Sequence, residues 1–276
     1  MNEHILSVEI HLTTICNLKC PICAISKNPS KKTNLKINEL LKYLESLPNL
    51  KKILLCGNEG EPLLYNNIEK FIKWCKLKNM QLKINTNGAV GNNIIKMLKK
   101  NNYKNLIFEV AVDGIDDKTH QITRPGIELS IIDNFIKELD TNVVFTKYKH
   151  NQTQEKQIRK KYKKISVRNT RFEDKENNLE FPQGFDNLYL NNYSINSPMI
   201  KKTFIKVFNL NVIYNTHIYI DKLGDIYPCD VISRYGRKSI YNINNIEQID
   251  LNVFNTMCLS EKNIHACIYS CKYDIT

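Results

Sequence analysis

The chain has 276 residues, of which 42% are hydrophobic and 25% are charged. These proportions are ordinary for a folded globular protein and exclude a disordered chain. No apolar run approaches the roughly 18 residues that a membrane-spanning helix needs. The N-terminus also lacks the apolar core of a secretory signal. The sequence therefore predicts a cytoplasmic protein with no membrane partner.

The net charge of +12 has two interpretations. A basic surface suits an anionic partner such as nucleic acid, a phosphate or an acidic membrane face. However, the lysines are scattered along the chain, and no nucleic-acid-binding module accompanies them. We therefore interpret most of this charge as the compositional bias of a chain rich in lysine, asparagine and isoleucine, and predict no nucleic-acid partner. A phosphate-bearing substrate at the basic stretch 147–168 stays open as an alternative.

Strands and helices alternate over the first 170 residues. Apolar residues at strand spacing predict strands at residues 5–10, 53–55, 82–85, 106–112, 143–146 and 165–167. Helical spacing predicts helices at residues 36–47, 68–77, 94–98, 128–139 and 154–162. Six such repeats favour an α/β fold, a partial (β/α)6 TIM-like barrel. In such sheets ligands bind where the loops after the strands converge.

The rest of the chain follows a different pattern. Residues 171–200 are rich in asparagine without a clear period, and we interpret them as a connector. Beyond it, a β-hairpin is predicted from strands 217–220 and 225–227, a helix from 243–254, and a cysteine-rich tail from 258–276. The predicted domains are therefore a core at 1–170, a connector at 171–200 and a small C-terminal domain at 201–276.

Nine cysteines are the most informative residues. Their odd number and close clustering argue against a disulfide framework and for metal binding. Cys16, Cys20 and Cys23 lie in one loop after the first strand, and three thiolates there suit a soft metal centre. Zinc is the alternative occupant, although no fourth ligand follows at the spacing of a zinc knuckle. We interpret Cys56 and Cys75, which stand apart, as small buried hydrophobic residues.

The CxxxCxxC spacing in this position resembles the radical S-adenosylmethionine (radical SAM) superfamily. The resemblance implies that Cys16, Cys20 and Cys23 hold a 4Fe–4S cluster whose fourth iron chelates S-adenosyl-L-methionine. It further implies that reductive cleavage of this cofactor gives a 5′-deoxyadenosyl radical, which abstracts a hydrogen atom from the substrate. An electron donor such as flavodoxin or ferredoxin would supply the electron. The resemblance covers roughly residues 5–170.

A second motif follows the second predicted strand. The segment from Gly57 to Pro62 is similar to the family's GGEP loop, which contacts the methionine amino group, but Glu59 replaces the first glycine of that motif. By resemblance, Gly57, Glu59, Gly60, Glu61 and Pro62 become cofactor-binding candidates. A simple Gly-Pro turn is the alternative interpretation of this segment.

A third motif follows the third predicted strand. Asn85, Thr86 and Asn87 precede a glycine and resemble the family's TNG-type loop, which makes them further cofactor-binding candidates. Taken alone this signal is weak, because Asn-Gly is a common turn.

A fourth motif follows the fourth predicted strand. Asp113 and Arg124 lie in a stretch that resembles the family's SxDG…H…R pattern, although the usual serine is absent. The resemblance implies that Asp113 and Arg124 meet the cofactor or the substrate. For His120, which belongs to the same stretch, we expect an ordinary supporting hydrogen bond rather than catalysis.

The C-terminal cysteines resemble the auxiliary-cluster extension of the same superfamily, which is called SPASM in its long form and twitch in its short form. Cys229 closes a GxxxxC motif that begins at Gly224, and Cys258, Cys267 and Cys271 follow in the tail. Four cysteines imply one second 4Fe–4S cluster. The family's usual cysteine about fifteen residues before that glycine is missing, so either Cys258 replaces it or one iron is left open for substrate. Zinc at this site stays an alternative.

The resemblance implies an oxidoreductase-type radical SAM enzyme. The chain starts at its first predicted strand without a leader-peptide-binding domain, which favours dehydrogenation of a small polar substrate such as a sugar or cyclitol derivative. Oxidation, cross-linking or epimerisation of a peptide side chain is the second expectation. A zinc-binding structural or nucleic-acid-binding protein is the alternative from another class.

Overall fold

The computed structural model describes residues 2–3, 5–27, 29, 31–56, 60–170, 174–177, 179–180, 182–183, 217–227, 239 and 241–245. The described strands are β1 (Ser7–Ile10), β2 (Lys52–Leu55), β3 (Gln81–Thr86), β4 (Leu106–Ala111), β5 (Asn142–Lys147), β6 (Ile165–Asn169), β7 (His217–Ile220) and β8 (Ile226–Tyr227). The described α-helices are α1 (Ala24–Lys27), α2 (Ile37–Glu45), α3 (Ile68–Leu77), α4 (Asn92–Asn101), α5 (Asp117–Thr123), α6 (Leu129–Leu139) and α7 (Glu155–Lys161).

The larger of two compact units comprises His11–Asn34 and Ile53–Phe185. Its strands follow the order β2-β3-β4-β5-β6. The pairs β3/β4, β4/β5 and β5/β6 are parallel, with Asn85 opposite Glu109 in the first of them. Because the strands run in the same direction, the loops that follow them lie at one edge of the sheet.

The other unit comprises Met1–Ile10, Leu35–Lys52 and Asp186–Thr276. Here β1 pairs in parallel with β7, and β7 pairs antiparallel with β8. Gly224 lies in the turn between β7 and β8 with a φ of 84°, which glycine adopts without the strain that a side chain would bring.

Alternation along the strands separates an apolar face of the larger unit's sheet from a polar one. Most of the buried apolar side chains on β3, β4 and β5 alternate along each strand: Leu82, Ile84, Phe108, Val110, Val143 and Phe145. The ring of Phe108 packs edge-on against Phe135 of α6, with ring centroids 5.5 Å apart. This face is therefore the one that the helices cover.

The α/β fold with parallel strands is confirmed, and most predicted elements agree with the structure to within two residues. Two short helices, α1 and α5, were not predicted, because neither shows an apolar period. Residues 243–245 form a turn where the sequence predicted the start of a helix, and the remainder of that predicted helix lies outside the described residues. The domain boundaries near residues 170 and 200 stay predictions.

None of the helices in the described ranges has the length and apolar character needed to cross a bilayer.

Replacement of the fully buried Phe135 by alanine tests the packing of α6 on the sheet. We expect Phe135→Ala to lower the free energy of unfolding by about 3–5 kcal/mol, because it leaves a cavity against Phe108. Urea denaturation followed by fluorescence measures the change. Ile131→Ala on the same helix is the matched control, because that side chain is exposed, and it should leave the midpoint nearly unchanged. Equal losses in both variants would contradict the packing described here.

Candidate functional site

The loop that follows β1 brings three cysteines to the carboxyl edge of the sheet. The side chains of Cys16, Cys20 and Cys23 are half-buried, and none of them forms a disulfide. The Cys23 N–H donates to the Cys20 carbonyl at 3.0 Å, and α1 begins at the next residue, Ala24. This turn fixes the last two cysteines of the motif close together in the chain and in space.

The thiols share one electrostatic environment. Burial raises the pKa of Cys16, and the negative charges of Glu61 and Cys23 act in the same direction. Burial also raises the pKa of Cys20, with Arg124 opposing the shift and the thiolates of Cys23 and Cys16 adding to it. Ionisation of one of these thiols therefore makes ionisation of the others less favourable.

The donors in this loop are thiols, the ligand type that iron–sulfur clusters take. Within the described ranges, no three His, Cys, Asp or Glu side chains are grouped closely enough to ligate one metal ion. A cube makes a different demand, because each thiolate binds its own iron atom. Cys16, Cys20 and Cys23 supply three thiols on one loop, the number that a 4Fe–4S cube with one open iron takes.

The buried carboxylate of Glu61 joins the loops that follow β2 and β3. Its Oε1 accepts hydrogen bonds from Thr86 Oγ1 at 2.6 Å and from the Leu63 N–H at 3.1 Å. Its Oε2 accepts from the Asn87 N–H at 2.8 Å. Burial raises the pKa of Glu61, and these donors together with Arg124 oppose that shift. Both carboxylate oxygens of Glu61 therefore already have partners within the protein.

The backbone around Glu61 also holds the cysteine loop. The Glu61 N–H donates to the Ile15 carbonyl at 2.8 Å, one residue before Cys16. Gly60 has a φ of 133°, and a Cβ there would overlap the carbonyl oxygen of Thr13. Glycine is therefore required at residue 60 for this close approach. Pro62 begins the short 3-10 helix that Glu61 caps.

Two asparagine side chains connect the cysteine loop to the loop after β3. Asn17 donates through Nδ2 to the Ala89 carbonyl at 2.6 Å, and Asn87 donates through Nδ2 to Asn17 Oδ1 at 3.0 Å. The same Asn87 amide lies 3.9 Å from Cys16 Sγ, while its Oδ1 accepts from the Ala89 N–H at 2.7 Å. The Asn87 amide is consequently fixed against the first cysteine of the motif.

Asp113 organises the loops after β4 and β5. Its side chain is only 2% exposed, and its Oδ2 accepts from Arg124 Nε at 2.8 Å and from Thr123 Oγ1 at 3.1 Å. Its Oδ1 accepts from the Thr146 N–H at 3.2 Å. Although burial opposes it, the pKa of the Arg124 guanidinium is raised, chiefly by this carboxylate and then by Cys20. Asp113 therefore positions a positive charge beside the cysteine loop.

His120 supports this arrangement, as expected. Its Nδ1 accepts from the Asp113 N–H at 3.1 Å, and burial lowers its pKa to about 4. The ring is therefore neutral at physiological pH, with its proton on Nε2.

Sequence reasoning missed several residues that complete the site. Asn151 is fully buried and donates through Nδ2 to the carbonyls of Asp113 at 2.9 Å and Thr146 at 3.0 Å. Asn17 and Thr123 were also missed. Asn17 lies inside the cysteine motif and could have been suspected, whereas only tertiary packing reveals Thr123 and Asn151.

Six of the predicted site residues lie outside the described residues. They are Gly57, Glu59, Cys229, Cys258, Cys267 and Cys271. Most of the other candidates lie in two neighbouring networks, one around Glu61 and one around Asp113. Cys16 interacts electrostatically with Glu61, and Cys20 interacts with Arg124 and Asp113. Asn85, on β3, has its side chain on the polar face of the sheet.

The larger unit is a parallel α/β sheet, and its carboxyl edge carries buried acids, an arginine and a three-cysteine loop. It therefore has the features of α/β proteins that bind their ligands at this edge. Comparison with known proteins shows which family this part of the chain resembles. Residues 10–144 match the family model of the radical SAM superfamily. This match places a radical SAM domain in that part of the chain and supports membership of the superfamily.

Two curated relatives share part of the sequence. YfkA of Bacillus subtilis is 33% identical over 88 residues, which cover 29% of this chain and 23% of YfkA. A Methanococcus aeolicus protein named "Probable GTP 3′,8-cyclase" is 32% identical over 137 residues, which cover 46% of this chain and 44% of the relative. The chain thus spans less than half the length of either relative.

Solved structures share the fold at low sequence identity. SuiB of Streptococcus suis bound to S-adenosylmethionine has a TM-score of 0.65 and 14% identity, covering 96% of this chain and 72% of SuiB. A structure titled "Native anSMEcpe with bound AdoMet and Cp18Cys peptide" has a TM-score of 0.55 and 16% identity, covering 94% of this chain and 81% of that chain. Both likenesses establish the α/β partial-barrel fold.

Removing one carboxylate oxygen from Glu61 tests the interlocking of the loops. Glutamine keeps the shape but has only one acceptor, so Glu61→Gln leaves the Asn87 N–H facing an amide donor. We expect the free energy of unfolding to fall by about 1–3 kcal/mol, the cost of an unsatisfied buried donor. Denaturant titration measures the loss. Glu69→Gln, on the exposed surface of α3, is the control that should leave stability unchanged. An unchanged free energy of unfolding in Glu61→Gln would contradict the role of this carboxylate in holding the loops together.

Proposed function

We propose that this protein is a radical SAM enzyme in which Cys16, Cys20 and Cys23 bind a 4Fe–4S cluster that holds S-adenosyl-L-methionine. The single observation that carries the proposal is the three-cysteine loop, fixed by Glu61 and Asn87 at the carboxyl edge of a parallel sheet. The match of residues 10–144 to the radical SAM superfamily supports it. When bound, the cluster and its nucleotide supply reductive sulfonium cleavage and a 5′-deoxyadenosyl radical.

We assign two further roles to residues of the loop after β2: contact with the cofactor and positioning of the cysteine loop. Gly60 lets the loop after β2 pass against the cysteine loop, and we assign contact with the methionine amino group to the backbone of Gly57, Glu59 and Gly60. The carboxylate of Glu61 already accepts from Thr86 and Asn87. Its part is therefore to hold the loops in register.

Arg124 supplies the positive charge of the site. Its Nε is engaged by Asp113 at 2.8 Å, and its side chain keeps 23% of its surface exposed. We assign the exposed end of the guanidinium to an anionic group of the cofactor or the substrate, with Asp113 as the positioning residue. A fixed guanidinium fork suits a carboxylate, which it can bind in a bidentate manner.

The reaction we propose is hydrogen-atom abstraction leading to oxidation of a polar substrate in the cytoplasm, with flavodoxin or ferredoxin as the electron donor. A small polar molecule such as a sugar or cyclitol derivative is the first candidate. A peptide side chain is the second, and one observation favours it. SuiB crystallised with the precursor peptide SuiA has a TM-score of 0.63 against this chain, and the anSMEcpe structure also carries a peptide in its title.

We further propose a second 4Fe–4S cluster, held by Cys229, Cys258, Cys267 and Cys271 in a twitch-type domain. Four thiolates would close every iron site, a state suited to electron transfer. Such a cluster could accept the second electron of a net two-electron oxidation. The chemistry of the four cysteines in the sequence is what supports this proposal.

The first site is tested by anaerobic reconstitution and a reductant-driven assay for 5′-deoxyadenosine. We expect the combined variant Cys16→Ala, Cys20→Ala, Cys23→Ala to lose this product by at least about 100-fold, because no cluster remains to hold the nucleotide. Cys75→Ala is the matched control, since that thiol is fully buried on α3 and should leave the product unchanged. Equal product in the triple variant, or zinc without iron in the parent protein, would overturn the proposal.

The second cluster is tested separately. We expect Cys267→Ala with Cys271→Ala to lower the iron content by about four atoms per chain while part of the 5′-deoxyadenosine formation persists. Iron analysis and the product assay on one preparation measure both effects. Unchanged iron content would contradict the auxiliary cluster without touching the first site.

A further inference from the structure

The sheet of the larger unit has a polar face on the side away from α6. Phe108 packs on Phe135 of that helix, so its neighbour Glu109 points to the opposite face of β4. Asn85 of β3 is the register partner of Glu109. Lys83, two residues earlier on β3, lies on the same side. Charged and amide side chains therefore share this face close to the loop that carries Asn87.

One carboxylate on this face serves two cations. Glu109 Oε1 lies 2.7 Å from Lys83 Nζ, and Glu109 Oε2 lies 3.3 Å from Arg168 Nη2. The Glu109 side chain is 12% exposed, whereas those of Lys83 and Arg168 are 36% and 50% exposed. The cluster carries a formal net charge of +1, and the side chains of both cations remain partly exposed to solvent.

Asn85 adds an acceptor to the same place. Its Oδ1 is buried and has no hydrogen-bond partner in the part of the chain that the structure describes. Buried acceptors in native proteins are normally satisfied. Asn85 Oδ1 is one of seven unsatisfied buried side-chain atoms among the described residues, and it is the one that shares a sheet face with this charged cluster, so it is available to accept a hydrogen bond from a ligand. The group that fits has a donor, such as a hydroxyl or an N–H, next to its negative charge.

The position of this cluster connects it to the proposed cofactor site. Asn85 lies two residues before Asn87, whose amide contacts Cys16 Sγ at 3.9 Å. A ligand held on this face would therefore lie beside the loops that carry the cysteines. Surface ion pairs alone contribute little to stability, and stability alone would not require an excess cation or an unsatisfied amide.

We infer that Lys83, Arg168 and Asn85, with Glu109 holding the two cations in place, bind an anionic group of the substrate: a phosphate or carboxylate with an adjacent hydroxyl or N–H donor. This inference rests on the proposed function, because it assigns the substrate class of the same site. Glu109 competes with that anion for the two cations. Removing its negative charge should therefore strengthen anion binding and not weaken it.

The test measures binding of inorganic phosphate, and separately of acetate, to the reconstituted full chain at constant ionic strength. The concentration dependence of the thermal unfolding midpoint gives each affinity, and glycerol serves as the neutral probe. We expect the double variant Lys83→Met, Arg168→Met to lose affinity by at least about tenfold. Preference for phosphate or for acetate identifies which anion the substrate carries.

Glu109→Gln is the decisive variant, because it raises the net charge of the cluster to +2 and should tighten anion binding by at least about threefold. A purely structural ion pair predicts weaker or unchanged binding. The matched control is Glu155→Gln, because Glu155 also pairs with two cations, Lys147 and Arg159, but lies on α7. It should leave anion affinity unchanged.

Three outcomes would overturn the inference: no anion binding by the parent protein, no tightening in Glu109→Gln, or equal tightening in Glu155→Gln. Formation of 5′-deoxyadenosine by the parent protein is measured on the same preparation. Tightening in Glu109→Gln without this product supports the anion site and rejects the proposed function. The product without such tightening rejects the anion site alone.

Discussion

The buried carboxylate of Glu61 is the interaction on which the site depends. It accepts hydrogen bonds from the loop after β3, caps the short helix after β2, and its own backbone N–H is bonded to the cysteine loop. A carboxylate in a nearly dry environment is stable only when such donors surround it. The loops therefore supply the hydrogen bonds that the buried carboxylate of Glu61 needs. In return, these bonds fix the positions of Cys16, Thr86 and Asn87 relative to one another.

Charge balance at the carboxyl edge follows from this arrangement. Burial raises the pKa values of Cys16, Cys20 and Glu61 and so disfavours their negatively charged forms. Arg124 is the cation that interacts with both Cys20 and Asp113. Each thiol that ionises makes ionisation of the others less favourable, so this edge of the sheet favours additional positive charge once the thiols are deprotonated.

Local patterns of apolar residues were enough to predict most of the strands and helices of the larger unit. The strands from β1 to β6 were found because apolar residues recur at their spacing, and the cysteine spacing alone located the loop of the site. Helix α5 was missed because it lacks an apolar period. It forms because Asp116 accepts from the Thr119 N–H at 2.8 Å and because His120 is buried against the backbone of Asp113. The contacts of Asn151 with Asp113 and Thr146 could not be predicted from the sequence, because they join loops that only the folded sheet brings together.

The net charge of +12 can attract an anion only at positions where the cations outnumber the nearby carboxylates. Lys73, Lys99 and Lys164 each lie beside a carboxylate on the exposed surface, at 2.7, 2.5 and 2.6 Å. Such one-to-one pairs are solvated and screened, so they exert little attraction at a distance. Glu109 differs because one partly buried carboxylate is shared between two cations on a sheet face beside an unsatisfied amide. Glu155 also pairs with two cations, but its side chain is 28% exposed against 12% for Glu109. In our proposal it is therefore the burial of Glu109 and the unsatisfied Asn85 amide beside it, and not the number of cations alone, that make this position selective for an anion.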